Sequence, residues 1–197
     1  MPTTITERHL EFTFGDAWNV LRYDNEDERA DGKKTGHPFY RDQVSRLEGA
    51  KAVDFVGTHG GDTAYLVEVK DFRGYRIRNK RRITTNELAT EIAQKVRDTL
   101  AGLVAAKRNH PAPGVLGSVA AMLMNPKRTI RIVLWLEDDL SHRNLMQWKA
   151  EQAVLTDKIK TRIGWFSSRV LVVDQGSCQQ QPPDVQVRNL PGAGQGV

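Results

Sequence analysis

The segment Lys51–Phe72 constrains this chain most tightly. Two apolar arms, KAVDFV and AYLVEVKDF, flank the turn THGGD, whose paired glycines Gly60 and Gly61 suit a tight reversal. The β-branched and aromatic residues of both arms predict two antiparallel strands, Lys51–Val56 and Ala64–Phe72, apolar enough to lie centrally in a sheet. Three ionisable residues interrupt them: Asp54, Glu68 and Lys70. Alternation puts Glu68 and Lys70 on one face, with Val67 and Val69 on the other. A hairpin symmetric about Gly61 sets Asp54 opposite Glu68, with Cβ atoms ~4.5–5.5 Å apart.

Two carboxylates side by side repel unless a proton or a cation stands between them. Hard oxygen donors favour Mg²⁺ or Mn²⁺ over zinc. Asp54, Glu68 and the backbone carbonyl of Val69 are the candidate ligands. A metal there polarises a phosphoryl oxygen and acidifies a bound water. Lys70 is placed to stabilise transition-state charge or orient that water. A plainer reading has Glu68 and Lys70 as a pair on a wet sheet face.

The charge distribution bears on the choice. The net charge is +5, from 29 Lys plus Arg against 24 Asp plus Glu. Between Asp24 and Asp31 five acids face one arginine, whereas between Lys70 and Arg82 seven bases face one acid. Such a basic cluster attracts polyanions. Beginning at Lys70, it predicts a phosphate-holding loop at the mouth of the same site, with Arg73, Arg76, Arg78, Lys80, Arg81 and Arg82 as nucleic-acid-binding residues. Lys149, Lys158, Lys160 and Arg162 form a second basic stripe that either extends a nucleic-acid groove or, the reading favoured, is the wet face of a helix.

Around the hairpin the pattern predicts a strand at Glu11–Phe14, a short helix from Asp16 to Tyr23 and an exposed loop through Pro38, with Phe39–Leu47 undecided. A long helix follows over about Thr85–Arg108, striped by Leu88, Ile92, Val96, Leu100 and Leu103. Then come a strand at Thr129–Leu136, a helix from Ser141 to Ile163 with Leu145, Trp148, Leu155 and Ile159 inward, and a strand at Arg169–Val173. From Gln175, thirteen of the last 23 residues are Gln, Pro or Gly, so residues 175–197 read as a disordered or loosely packed tail on one α/β domain spanning 1–174, a mixed sheet flanked by helices.

Other chemistries find no support. No apolar run approaches the ~18–20 residues of a membrane span, and MPTTITERHLEF does not have the form of a secretory signal. A single cysteine, Cys178, excludes an internal disulfide and cysteine-built zinc sites, and favours the reducing cytoplasm. His9, His37, His59, His110 and His142 are scattered, and neither a Walker loop nor a nucleophile elbow is present. Trp18, Trp135, Trp148 and Trp165 read as core.

Asp54, then Glu68-Val69-Lys70 on a hairpin, then a helix and an apolar strand, resembles the PD-(D/E)xK nuclease superfamily with its restriction-endonuclease-like fold. The likeness covers about Asp16–Leu136 by element order and three residues by motif; Val53 stands where the motif commonly has proline. It implies a core of helix, three strands, helix and strand, and magnesium-dependent cleavage of nucleic-acid phosphodiesters, with DNA the expected partner and a homodimer the common form for cutting both strands. Asp54 and Glu68 match the metal-binding acids and Lys70 the motif lysine. Many members add an acid from the first helix, for which Asp16, Asp24 and Glu26 are candidates. Some carry a polar residue on the helix after the motif strand, for which Glu91, Gln94 and Lys95 are candidates. The alternative is a catalytically inactive nuclease-fold module that binds nucleic acid or a protein partner.

Overall fold

The structure, a computed structural model, describes residues 1–24, 37–109, 114–139, 144–177 and 182–191. Its strands are β1 (Thr3–Glu7), β2 (Leu10–Phe14), β3 (Trp18–Arg22), β4 (Phe55–His59), β5 (Thr63–Asp71), β6 (Thr129–Glu137), β7 (Val170–Val173) and β8 (Val185–Asn189). Its helices are α1 (Pro38–Asp42), α2 (Arg76–Thr84), α3 (Glu87–Asn109), α4 (Val115–Leu123) and α5 (Leu145–Ile163), with a 3₁₀ turn at Val44–Arg46.

Five strands form the central sheet in the order β3-β4-β5-β6-β7. β3, β4 and β5 pair antiparallel, while β5, β6 and β7 run parallel. Parallel neighbours need long crossovers; α3 and α4 lie between β5 and β6 in the chain, and α5 between β6 and β7. β1, β2 and β8 make a second, antiparallel sheet.

The two faces of the central sheet bury different partners. Val56, Leu66, Ile132, Leu134, Leu136 and Val172 pack in one core with Ile92, Val96 and Leu103 of α3 and Trp148, Leu155 and Ile159 of α5. Phe55, Tyr65, Val67, Val69, Val133 and Trp135 pack on the other side with Leu10, Phe12 and Phe14 of the small sheet. The Phe12 ring meets Phe55 and Trp135 edge-on at 5.3 and 5.2 Å between centroids. The molecule is thus layered as helices, central sheet, small sheet.

Several expectations need correction. Trp18–Arg22 is a strand, not a helix: Trp18 and Val20 bury at a spacing of two and Asn19 is exposed between them, a pattern that a 3.6-residue period fits poorly. The segment 73–82 is not all loop, since α2 begins at Arg76. The expected loose tail contains β8, whose Val185 and Val187 pack against the small sheet's core and whose backbone pairs with β2. Strand β4 starts at Phe55, four residues later than expected. Trp165 is 72% exposed and Leu145 is also exposed; both follow or open α5 at its ends, away from the buried stripe. β1 and α4 are further elements that no predicted segment covers. Among the described residues no helix is long and apolar enough to cross a membrane.

Candidate active site

The β4–β5 register is the one expected: Phe55 pairs with Val67, Val56 with Leu66 and His59 with Thr63. Asp54, one residue before β4, therefore meets the Glu68–Val69 stretch of β5. Its Oδ2 accepts a hydrogen bond from the Val69 backbone N–H at 2.5 Å. The backbone around Asp54 is pinned from both sides. Its carbonyl accepts from the Tyr23 N–H at 2.8 Å, and the Val53 N–H donates to Thr99 Oγ1 of α3 at 3.0 Å. The Lys51 N–H donates to Asp98 Oδ2, also on α3. Hairpin and helix are thus bound at the point where the carboxylate emerges.

Glu68, 1% exposed, lies between two lysines. Its Oε1 is 2.9 Å from Lys70 Nζ and 2.8 Å from Lys95 Nζ. Both Glu68 oxygens are sealed from solvent, so the two ammonium groups are what balances its charge. Lys70 also pairs with Glu91 Oε1 at 2.9 Å, and Glu91 Oε2 pairs with Arg82 at 2.6 Å. Lys95, one helical turn beyond Glu91, is 3% exposed and also faces Asp54 Oδ1 at 3.8 Å and Asp24 Oδ2 at 3.9 Å. Four carboxylates and three cations thus form a continuous charged cluster at the end of the hairpin.

The electrostatics follow from burial. Desolvation, together with the charges of Glu68 and Asp24, drives the Asp54 carboxyl well above the usual carboxylate range, against the pull of Lys95. Burial likewise raises Glu68, although Lys95 and Lys70 oppose it. Burial would raise Glu91 too, but Lys70 and Arg82 outweigh it and hold that carboxyl at about 2. Lys70 loses ionisation to burial and regains more from Glu68 and Glu91, so its pKa is raised.

The structure brings together Asp54, Glu68 and Lys70, with the Val69 peptide hydrogen-bonded to Asp54. Of the three candidate acids, Asp24 joins them. Asp16 is exposed and pairs with the N-terminal amine at 3.0 Å, while Glu26 lies outside the described residues. On α3, Glu91 and Lys95 face the cluster, and Gln94 receives a hydrogen bond from Lys51 Nζ at 3.4 Å. The basic residues divide. Arg73 is buried in a two-pronged pair with Asp71 and a bond to Asn189, so it is not offered to a ligand. Arg76 opens α2. Arg78 lies over the Tyr75 ring, and Arg78, Lys80 and Arg81 are exposed, Arg81 pairing with Glu87. Arg82 joins the site through Glu91 and stacks on Phe72.

Beside the cluster a cleft of about 640 Å³ is lined by Lys51, Arg82, Asn86, Thr90, Glu91 and Gln94, among others. Lys51 was not singled out by sequence, nor was Glu7, a buried β1 acid paired with Arg22 at 2.8 Å whose charge adds to the upward shift of Asp54. No local signal marks either residue, because each acts through contacts made by the fold.

Among the described residues no three His, Cys, Asp or Glu side chains are gathered closely enough to hold a metal. Asp54 and Glu68 nevertheless supply two buried hard-oxygen donors that share one cationic neighbour, Lys95. The donor set fits Mg²⁺ or Mn²⁺ in kind.

Comparisons with known proteins add little. No family model matches the chain, and no solved structure matches it. One stretch is similar to a cysteine–tRNA ligase from Neisseria meningitidis, 34% identical over 122 residues. The match covers 53% of this chain and 17% of the ligase, so the chain spans only a small part of that protein's length.

Proposed function

We propose that the chain has a restriction-endonuclease-like core and is a metal-dependent nuclease that hydrolyses phosphodiester bonds, with DNA as substrate. One observation carries the reading: Asp54 and Glu68 converge from opposed positions of a buried hairpin, with the Lys70 ammonium 2.9 Å from Glu68. The order of the central sheet supports the core, with three antiparallel strands followed by a helix and a parallel strand.

Asp54 and Glu68 would hold Mg²⁺ or Mn²⁺, with the Val69 carbonyl as a further donor. Such an ion, when bound, polarises a phosphoryl oxygen and acidifies water. Lys70 carries positive charge to the reacting phosphate, and Glu91 holds that ammonium in place while Arg82 holds Glu91. Lys51 and Arg82 give the adjoining cleft charge for backbone phosphates. Lys80 and Arg81 on α2 extend that field without reading bases.

A second reading, a catalytically silent nuclease-fold module that binds nucleic acid or protein, is favoured by one feature: lysines already neutralise both carboxylates. Incubation of the protein with plasmid and single-stranded DNA in Mg²⁺, Mn²⁺ or EDTA, beside Asp54→Ala and Lys70→Ala, separates the two. Metal-dependent cutting lost in both variants supports the nuclease. Salt-sensitive binding without cutting, unchanged in the variants, supports the silent module.

A further inference from the structure

Three carboxylates from three different segments point at one nitrogen. Asp24 follows β3, Asp54 precedes β4 and Glu68 lies within β5. All three approach Lys95 Nζ, at 3.9, 3.8 and 2.8 Å. Lys70 meets the same Glu68 oxygen at 2.9 Å but turns to Glu91 instead of Asp54 and Asp24. The point from which a cation reaches Asp54 and Glu68 together is therefore filled by Lys95.

We infer that Lys95 is a tethered competitor for the divalent cation: its ammonium holds the cation seat in the metal-free protein and must leave when metal enters. The inference rests on the nuclease reading only in taking Asp54 and Glu68 as metal ligands. It adds Asp24 as the third wall of the seat and a built-in brake on metal affinity.

The geometry requires exclusion. Magnesium takes oxygen ligands at ~2.0–2.1 Å, whereas the carboxylates stand 2.8–3.9 Å from Nζ. Around an ammonium the three carboxylates stand farther from the common centre than ligands of a small dication do. Contraction onto a small dication leaves no room for Nζ, and two cations within one carboxylate cage repel strongly at low dielectric. Lysine can make the exchange because its charge rides on a flexible four-carbon stem. Binding of metal therefore includes the work of breaking the Lys95–Glu68 pair, and removing the ammonium removes that work.

The test reads Mn²⁺ binding directly, by loss of the free-ion electron paramagnetic resonance signal on titration, without DNA or turnover. The proteins are wild type, Lys95→Met, Lys95→Gln and Lys95→Arg. Lys95→Met and Lys95→Gln are expected to bind Mn²⁺ at least tenfold more tightly than wild type, and Lys95→Arg no more tightly. In EDTA, Lys95→Met is expected to melt below wild type, and Mn²⁺ to raise its melting temperature by more than it raises that of wild type. Should Lys95→Met fail to fold without metal, Lys95→Gln, which keeps a hydrogen bond to Glu68, gives the same comparison. Wild-type or weaker affinity in both neutral variants overturns the inference, as does absence of Mn²⁺ binding in all four proteins. Tighter binding without DNA cleavage sustains the inference and defeats the nuclease reading. Metal-dependent cleavage with unchanged affinity in the variants does the reverse.

Discussion

Replacing Asp54 by Asn should stabilise the metal-free protein. The substitution keeps an oxygen for the Val69 N–H, the shortest contact the side chain makes, and removes one buried negative charge. Lys95 at 3.8 Å favours that charge; at an effective dielectric of ~20 the attraction is about 4 kcal/mol. Against it stand the desolvation of a carboxylate 2% exposed, several kcal/mol per ion, and repulsion from Glu68, Asp24 and Glu7. The opposing terms win, as the raised Asp54 pKa indicates. Lys95 keeps Glu68 as its partner at 2.8 Å, so the change leaves no unpaired cation, and the expected gain is about 1–3 kcal/mol, the scale of desolvating a buried polar group. For a chain of this size that lifts Tm by about 3–9 °C. The sign depends on pH. A carboxyl whose folded pKa is raised contributes stability below its unfolded pKa and loses it as pH rises through the folded value. The gain from Asp54→Asn should therefore be present at pH 7.5 and nearly vanish by pH ~2.5, where Asp54 is protonated in the fold and almost wholly so in the unfolded chain. Thermal unfolding in EDTA at the two pH values measures it. A variant that melts below wild type at pH 7.5, or one whose gain is equal at both, refutes the reasoning.

Other substitutions probe neighbouring parts of the account. Glu91 is held at about 2, so its stabilisation is present above the ordinary carboxylate value of 4.5 and lost as pH falls through 2; Glu91→Gln should cost about 1–3 kcal/mol at pH 7 in urea unfolding, and only a few tenths of a kcal/mol at pH ~2. A Cβ at Gly102 of α3 would lie 2.4 Å from the buried Tyr23 hydroxyl, so Gly102→Ala should destabilise by about 1–3 kcal/mol despite alanine's better helix propensity. Lys80→Ala with Arg81→Ala should lower the salt dependence of DNA binding by roughly one phosphate contact per residue. In fluorescence titrations at several salt concentrations, an unchanged slope would remove α2 from the interface.

The sequence shows the hairpin more plainly than anything else, because its turn and its alternation fix the register once the glycines are placed. That register puts Asp54 beside Glu68 and aims Glu68 and Lys70 at α3. The buried stripe of α3, with Leu88, Ile92, Val96, Leu100 and Leu103, was equally legible. Trp18–Arg22 misled because Ala17, Val20 and Leu21 also fit a helix face, and only backbone pairing with β4 decides for a strand. The tail misled because composition outweighed the short alternation Val185–Val187, whose partner, β2, is remote in sequence. The choice of Asp24 over Asp16, and of Lys95 among its neighbours, could not be made from local pattern, since both depend on how β3 and α3 approach the hairpin. The basic cluster was visible as charge, but its division into a buried Arg73, a site-facing Arg82 and the exposed Arg78, Lys80 and Arg81 is set by Asp71, Asn189, Glu91 and the turn into α2.

The initial rate of plasmid nicking in Mg²⁺ decides whether Asp54 and Glu68 form the centre of a metal-dependent phosphodiesterase. Wild type and Asp54→Asn are compared at equal concentration, each first shown to be folded by its melting curve. Wild type should nick the plasmid in a way that EDTA abolishes, and Asp54→Asn, as stable as wild type or more so, should lose about 10³-fold or more, because several kcal/mol of transition-state stabilisation go with the metal. Nicking by folded Asp54→Asn at the wild-type rate, or a wild-type rate indifferent to EDTA, would contradict it.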